Sequence, residues 1–218
     1  KLEELPQDPT GIAAAQWKEL CKRGRDEIRL FKAYAILEVG VPDEVVTAVS
    51  ELDTDTLQNV LSDNFLDGLL CEEGYGKRIY HAILSDYILE QISEAEKKVY
   101  HQRCEAIYRT ILNMHIKPDA LSASRLPWHV LSGREKKMFV KVFLDDVSDA
   151  LMSLGLFDDA LMFAGRAMSI VEPKSREEAR VLITVAFVLD TFGQIDDAEL
   201  ILHKAVEISQ AIGDNKSM

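Results

Sequence analysis

Several things are scarce in this sequence, and each scarcity excludes something. Three cysteines, Cys21, Cys71 and Cys104, are far apart and odd in number. They make no disulfide framework, and reduced thiols in a cytoplasmic compartment are expected. No apolar run approaches the roughly 18 residues that a membrane span needs, so a soluble chain without membrane contact is expected. Bases are outnumbered: 25 Lys and Arg stand against 37 Asp and Glu, a net charge of -12 over 218 residues. That balance tells against a surface for nucleic acid, whose affinity rests largely on neutralising phosphates. A Gly-rich loop ending in Lys-Ser/Thr is missing, so the chain is not expected to bind or hydrolyse ATP by itself. The opening Lys1-Leu2-Glu3-Glu4 carries neither a methionine nor a signal-peptide core, and a longer parent protein is expected.

What is present is helical period with well-marked ends. Asp8-Pro9 puts an acid at an N-cap and proline at the first helical position. Ile12, Ala13, Trp17, Leu20 and Cys21 follow at helical spacing up to Gly24. A second helix is predicted over about Asp26 to Glu38, with Ile28, Phe31, Ala35 and Ile36 on one side and Gly40 ending it. Pro42 opens a third with Val45, Val46 and Val49, and Asp53 or Thr54 caps a fourth with Leu57, Val60 and Leu61. A hairpin follows, Leu69 to Glu72 rising, Glu73-Gly74-Tyr75-Gly76 turning and Lys77 to His81 returning. Beyond it Ile83, Leu84, Tyr87, Ile88 and Ile92 restore the helical period. A buried strand end is expected to pass there into a buried helix, with His81 at the joint.

Three helices and a two-stranded wing are the order of a winged helix, a variant of the helix-turn-helix. Many such domains read DNA through the third helix. Here Asp53, Asp55 and Asp63 mark that segment and no base occurs in it, so no DNA reading is expected. Ser93-Glu94-Ala95-Glu96 is a capping box that starts a helix through Val99, Tyr100, Cys104, Ile107, Tyr108 and Ile111, broken at Lys117-Pro118. Pro127, inside Leu121 to Leu131, predicts a kink or a fresh start, and Gly133 an end.

From about Glu135 the chain repeats itself. Leu154-Gly155-Leu156-Phe157-Asp158-Asp159-Ala160 lies over Phe192-Gly193-Gln194-Ile195-Asp196-Asp197-Ala198, and Ala167 over Ala205, all at an offset of 38 residues. Glycine turns the chain, the paired acids sit at a helix N-terminus, and the alanines allow close packing. The unit is a helical hairpin.

The Gly, aromatic or aliphatic, Ala, Ala pattern resembles the tetratricopeptide repeat, with Ile212-Gly213-Asp214-Asn215 as the turn into a third copy. The earlier part resembles the region that follows the nucleotide-binding core in STAND-class signalling ATPases. The residues that carry this are Leu5-Pro6-Gln7-Asp8-Pro9 before the Trp17 helix, the winged helix ending in strand, His81 and helix, and Leu126-Pro127-Trp128-His129 before the repeats. Together the resemblances imply an all-α chain with a small β-wing: a lid-like leading helix over 1–24, a winged helix over 25–93, connecting helices over 94–134 and a truncated tetratricopeptide-like solenoid over 135–218. ATP or ADP would belong to an upstream nucleotide-binding domain. In the family, a histidine just after the wing reaches the ADP phosphate, and His81 holds that place, with Ala82 where the commonest pattern has aspartate.

The repeat resemblance further implies leading helices over about Lys141 to Leu154 and Ala179 to Phe192 that line a concave face for a protein or peptide. Asp145, Asp149 and Met152 from the first, with Arg180, Ile183 and Phe187 from the second, are the inward candidates. Met152, Ile183 and Phe187 suit packing between repeats equally well. Asp145, Asp146 and Asp149 read as a solvated acidic face or a site for a basic peptide, since calcium ligands normally come from a tight loop with glycine. His101 and Cys104 are too few for a zinc site, and His115, His129 and His203 lack partners at a regular spacing. No catalytic grouping is visible. The function expected is coupling of nucleotide state to partner recognition in a monomeric fragment. A tetratricopeptide adaptor with a purely structural winged helix is the first alternative. Part of a transcription regulator that reads DNA elsewhere is the second.

Overall fold

A computed structural model describes residues 8–114 and 119–213. The fold is mostly helical with one two-stranded antiparallel sheet. Two compact units form, Lys1–Ile107 and Tyr108–Met218, and their boundary divides the expected connecting segment 94–134. No helix among the described residues is long and apolar enough to cross a membrane. Leu5-Pro6-Gln7, His115, the break at Lys117-Pro118, and Asp214-Asn215 lie outside the described residues.

In the first unit, α1 (Pro9–Arg23) begins as its sequence dictates, with Asp8 Oδ1 accepting from Gly11 N at 2.7 Å. The spine is α2 (Arg25–Leu37), whose Leu30, Phe31, Tyr34, Ile36 and Leu37 are buried. It packs against α1, α3 (Asp43–Ser50), α4 (Thr54–Leu61), β2 (Gly76–Ile79) and α6 (Ala82–Gln91). Asp53 is the cap of α4, accepting from Thr56 N at 2.7 Å, and this bond holds its carboxyl below the usual carboxylate range. One short turn of helix, α5 (Asn64–Asp67), was not foreseen; Asp63 caps it and also pairs with Arg23.

Two details of this unit depart from the sequence reading. The α2 helix is ended by Glu38 in the left-handed region at φ 63°, not by Gly40. Gly40 has another task. A Cβ there would lie 1.7 Å from Glu73 O, and one on Gly76 would lie 2.1 Å from Val41 O. The backbone after α2 therefore touches the hairpin directly, and Val41 forms a bridge to Lys77. The hairpin turn is also tighter than the four residues expected: β1 (Leu70–Glu73) pairs with β2 from Leu70↔Ile79 to Glu73↔Gly76. Only Gly74 and Tyr75 stay outside the ladder. Gly74 at φ 62° supplies the positive first angle that such a two-residue turn needs.

The long helix α7 (Glu94–Met114) starts at the predicted box, Glu96 N donating to Ser93 Oγ at 3.2 Å while the Glu96 carboxylate accepts from Lys32 at 2.8 Å. In the second unit, α8 (Ala120–Gly133) is one helix with Pro127 inside it, so no fresh start occurs there. Next comes a leading helix in three parts: α9 (Lys136–Val142), a π segment over Phe143–Val147, and α10 (Ser148–Ser153). It starts five residues before the expected Lys141. Three helices follow, α11 (Phe157–Met168), α12 (Arg176–Thr191) and α13 (Ile195–Ala211).

The sequence repeat is a repeat of geometry. Gly155 sits at φ 71° and Gly193 at φ 75°. Gly155 N donates to Met152 O and Leu156 N to Leu151 O; Gly193 N donates to Asp190 O and Gln194 N to Leu189 O. Each pair is a full Schellman closure of the preceding helix. The alanines that follow, Ala160, Ala167, Ala198 and Ala205, are all buried.

These two kinds of glycine predict different costs. Gly155→Ala meets no atom within 4 Å and only has to hold φ 71°, so it should cost about 1 kcal/mol. Gly40→Ala drives a methyl into a backbone carbonyl and should cost about 3 kcal/mol or more. Urea unfolding of both variants checks the order.

Candidate functional site

Two of the residues expected on the repeats, Asp145 and Arg180, meet in a groove of about 480 Å³ in the second unit, between the leading helix, the stretch 170–175 and the start of α12. Its geometry starts from the π segment. Ser148 N donates to Phe143 O, five residues back, instead of to Leu144 O as an α-helix would have it. Side chains answer Leu144 O, and Ser148 Oγ donates to it at 3.5 Å. Arg180 Nη2 donates to it at 2.8 Å, and Nη1 of the same guanidinium donates to Asp145 Oδ1 at 2.8 Å. One planar fork therefore grips a backbone carbonyl and the neighbouring carboxylate together.

Around this clamp the groove is charge-balanced. Lys137, Lys141 and Arg180 face Asp145, Glu172 and Glu177, over a floor that includes Val140 and Leu144. Lys137 reaches Glu172 at 3.2 Å, an exposed pair of small energetic weight. Ser175 caps α12 by accepting from Glu178 N at 3.0 Å, which fixes where Glu177 and Arg180 emerge.

Of the six residues expected to face a partner, Asp145 and Arg180 meet in this groove and the others stand outside it. Asp149 and Phe187 are exposed, and Met152 is half-buried. Ile183 packs against the cluster of Ala179, Leu182, Ala205 and Ile208, which makes it core between α12 and α13. The acidic group is not one solvated face, since Asp145 pairs with Arg180 and Asp146 lies 3.6 Å from Arg109. Lys137, Glu172 and Glu177 went unforeseen. The Glu172-Pro173 turn signalled that the chain reverses there, but nothing signalled the π register that aims Leu144 O at α12.

His81 stands at the expected joint, between the buried strand end at Ile79 and the buried Leu84 and Ile88 of α6, and is itself exposed. Ile79 closes the ladder pointing inward at 3% exposure, alternation turns Tyr80 outward, and His81 has already left the strand as the N-cap of α6. The His81 ring lies edge-on to Tyr80 at 4.5 Å between centroids, and its side chain makes no capping bond to α6. Its carbonyl accepts from Leu84 N and Ser85 N, so the backbone is anchored while the imidazole stays available. At the other candidate pair, burial pushes the Cys104 thiol well up and holds the His101 imidazole below its ordinary value. Among the described residues no group of three or more metal-ligating side chains forms.

The Arg180 fork predicts an asymmetry between its two acceptors. Arg180→Met removes both bonds and should cost about 1–2 kcal/mol, whereas Asp145→Asn keeps the Leu144 bond and should cost under about 1 kcal/mol. Thermal melts of the two variants read the difference. Compared with protein families, curated proteins and solved structures, the chain matches none, so what it does must be argued from these residues.

Proposed function

We propose that this chain is the regulatory and protein-interaction region of a STAND-class signalling ATPase. The hairpins of α10–α11 and α12–α13 act as tetratricopeptide-like repeats, and the groove beside the leading helix takes a protein or peptide. The observation that carries this is the twice-formed glycine turn, with the same pair of closing bonds at Gly155 and at Gly193. A repeat that keeps its turn while its helix faces differ is built to present surface. The groove supports the same reading, because balanced charge over an apolar floor suits an extended peptide carrying both apolar and charged side chains.

The first unit supports the regulatory half. Helices α2, α3 and α4 followed by the hairpin keep the winged-helix order, and the Val41 bridge ties the wing to the chain after α2. The exposed His81 imidazole is free to donate a hydrogen bond to a phosphate oxygen of ADP held by an upstream nucleotide-binding domain. A signal passes if nucleotide at one end and peptide at the other favour different arrangements of the winged helix. No catalytic residue is assigned to this chain.

The adaptor reading rests on a different observation: the backbone contact at Gly40 and Gly76 makes the wing rigid, as a spacer would be. Replacement of His81 separates the two. In the longer protein that this reading requires, His81→Ala should lower the ADP retained after purification and raise signalling without a trigger. Unchanged ADP content and unchanged basal signalling would leave the repeats as an adaptor.

A further inference from the structure

Within the first unit, α2, the end of α3 and the first half of α7 enclose a second groove of about 410 Å³. Its rim carries Arg25, Arg29, Lys32 and Arg103, against only Glu51 and Glu96. In a chain of net charge -12 this is a local surplus of base.

The two central arginines each dock on a backbone carbonyl, and Arg29 Nη1 also lies 3.7 Å from the Asp26 carboxylate. Arg103 Nη1 donates to Val49 O at 3.2 Å and Arg29 Nη2 to Glu51 O at 2.8 Å, so both guanidiniums dock on the carbonyl end of α3. What lies between them is the Glu51 carboxylate, 2.7 Å from Arg103 Nη2 and 3.4 Å from Arg29 Nη2. Glu51 sits in the left-handed region at φ 55°, a costly conformation for a residue with a Cβ, and its side chain is 56% exposed. It is a strained, solvent-facing occupant of a fixed two-arginine fork. Lys32 is neutralised by Glu96 at 2.8 Å, and Arg25 is exposed with no partner among the described residues.

We infer that this groove is a phosphate-binding site in which the Glu51 carboxylate is an internal competitor. A phosphate dianion matches two forks better than a monoanionic carboxylate does, and Arg25 supplies a further charge at the rim. The groove is larger than a phosphate group and its floor includes Ile28 and Val99, so the ligand class is a phosphate monoester whose organic part covers those side chains. Phosphorylated peptide side chains and free nucleotides share that chemistry.

Titration calorimetry on the full chain with inorganic phosphate, a phosphoserine peptide and AMP tests the site. Each should bind at one site per chain, the esters more tightly than free phosphate, and the tighter ester identifies the source. Glu51→Gln should raise the affinity about tenfold by removing the competing charge, and Arg29→Gln with Arg103→Gln should abolish binding. Should that double variant fail to fold, Arg25→Gln with Lys32→Gln should still weaken binding several-fold. If no phosphate compound binds the folded wild type or the Glu51→Gln variant, or if Glu51→Gln only lowers the melting temperature, the arginines are a structural staple and the inference is overturned.

Discussion

A chain built from short helices has many helix ends, and each end leaves backbone N–H or C=O groups that must find partners. That requirement organises this molecule. The N–H ends are answered by acids and hydroxyls close in sequence: Asp8, Asp53, Asp63, Ser93, Asp119 and Ser175 each accept from a backbone N–H just downstream. Part of the acidic excess of the composition is therefore structural, and does not stand ready for a partner. The carbonyl ends are answered in two ways. Where glycine can turn left-handed, as at Gly155 and Gly193, backbone N–H groups fold back on the helix. Where no glycine stands, arginines arrive from distant helices, Arg29 at Glu51 O and Arg103 at Val49 O. At the π segment in mid-helix, the Leu144 carbonyl is answered by side chains, Ser148 Oγ and Arg180. Both grooves form around these arginine–carbonyl contacts.

The difference between the two answers explains how much was legible beforehand. An N-cap or a glycine turn is local: Asp8-Pro9, Ser93 to Glu96 and the offset from Gly155 to Gly193 are visible in a few consecutive residues, and all appear where the pattern put them. A carbonyl met by an arginine 22, 54 or 36 positions away leaves no local trace. Glu38 and Glu51 show the same limit from another side. Both take the left-handed conformation that usually marks glycine, and no sequence rule would have chosen glutamate for it. Gly40 was read by the local rule, as a helix end, although its reason is a hairpin more than thirty residues further on.

His81 stands at the joint where the sequence put it, and only its exposure was not legible there. The change of period from strand to helix was read correctly, since α6 begins at Ala82. The exposure of His81 left no local signal, because it lies past the last ladder pair, Leu70↔Ile79, where alternation along β2 no longer sets the side. On the repeats, the tetratricopeptide resemblance implied that Asp145 and Arg180 share a face. Their contact still needed the π segment, whose Leu144 carbonyl anchors the arginine beside the acid.

The two grooves also differ in how a charged partner is selected. Around Leu144, bases and acids balance, so neither sign of charge is drawn in from a distance; selection there depends on contact, with the apolar floor and the fixed fork of Arg180 setting shape and register. Around Glu51 the bases prevail locally, but the chain as a whole repels anions. Screening decides between these tendencies. At physiological salt the Debye length is about 8 Å, so acids elsewhere on the surface are largely silent within the groove while Arg29 and Arg103 act at full contact. A site in an acidic protein can therefore hold an anion only if its bases are already in place when the anion arrives. Docking both guanidiniums on the carbonyls at the end of α3 satisfies that condition, because those carbonyls cannot leave and the carboxylate between them can.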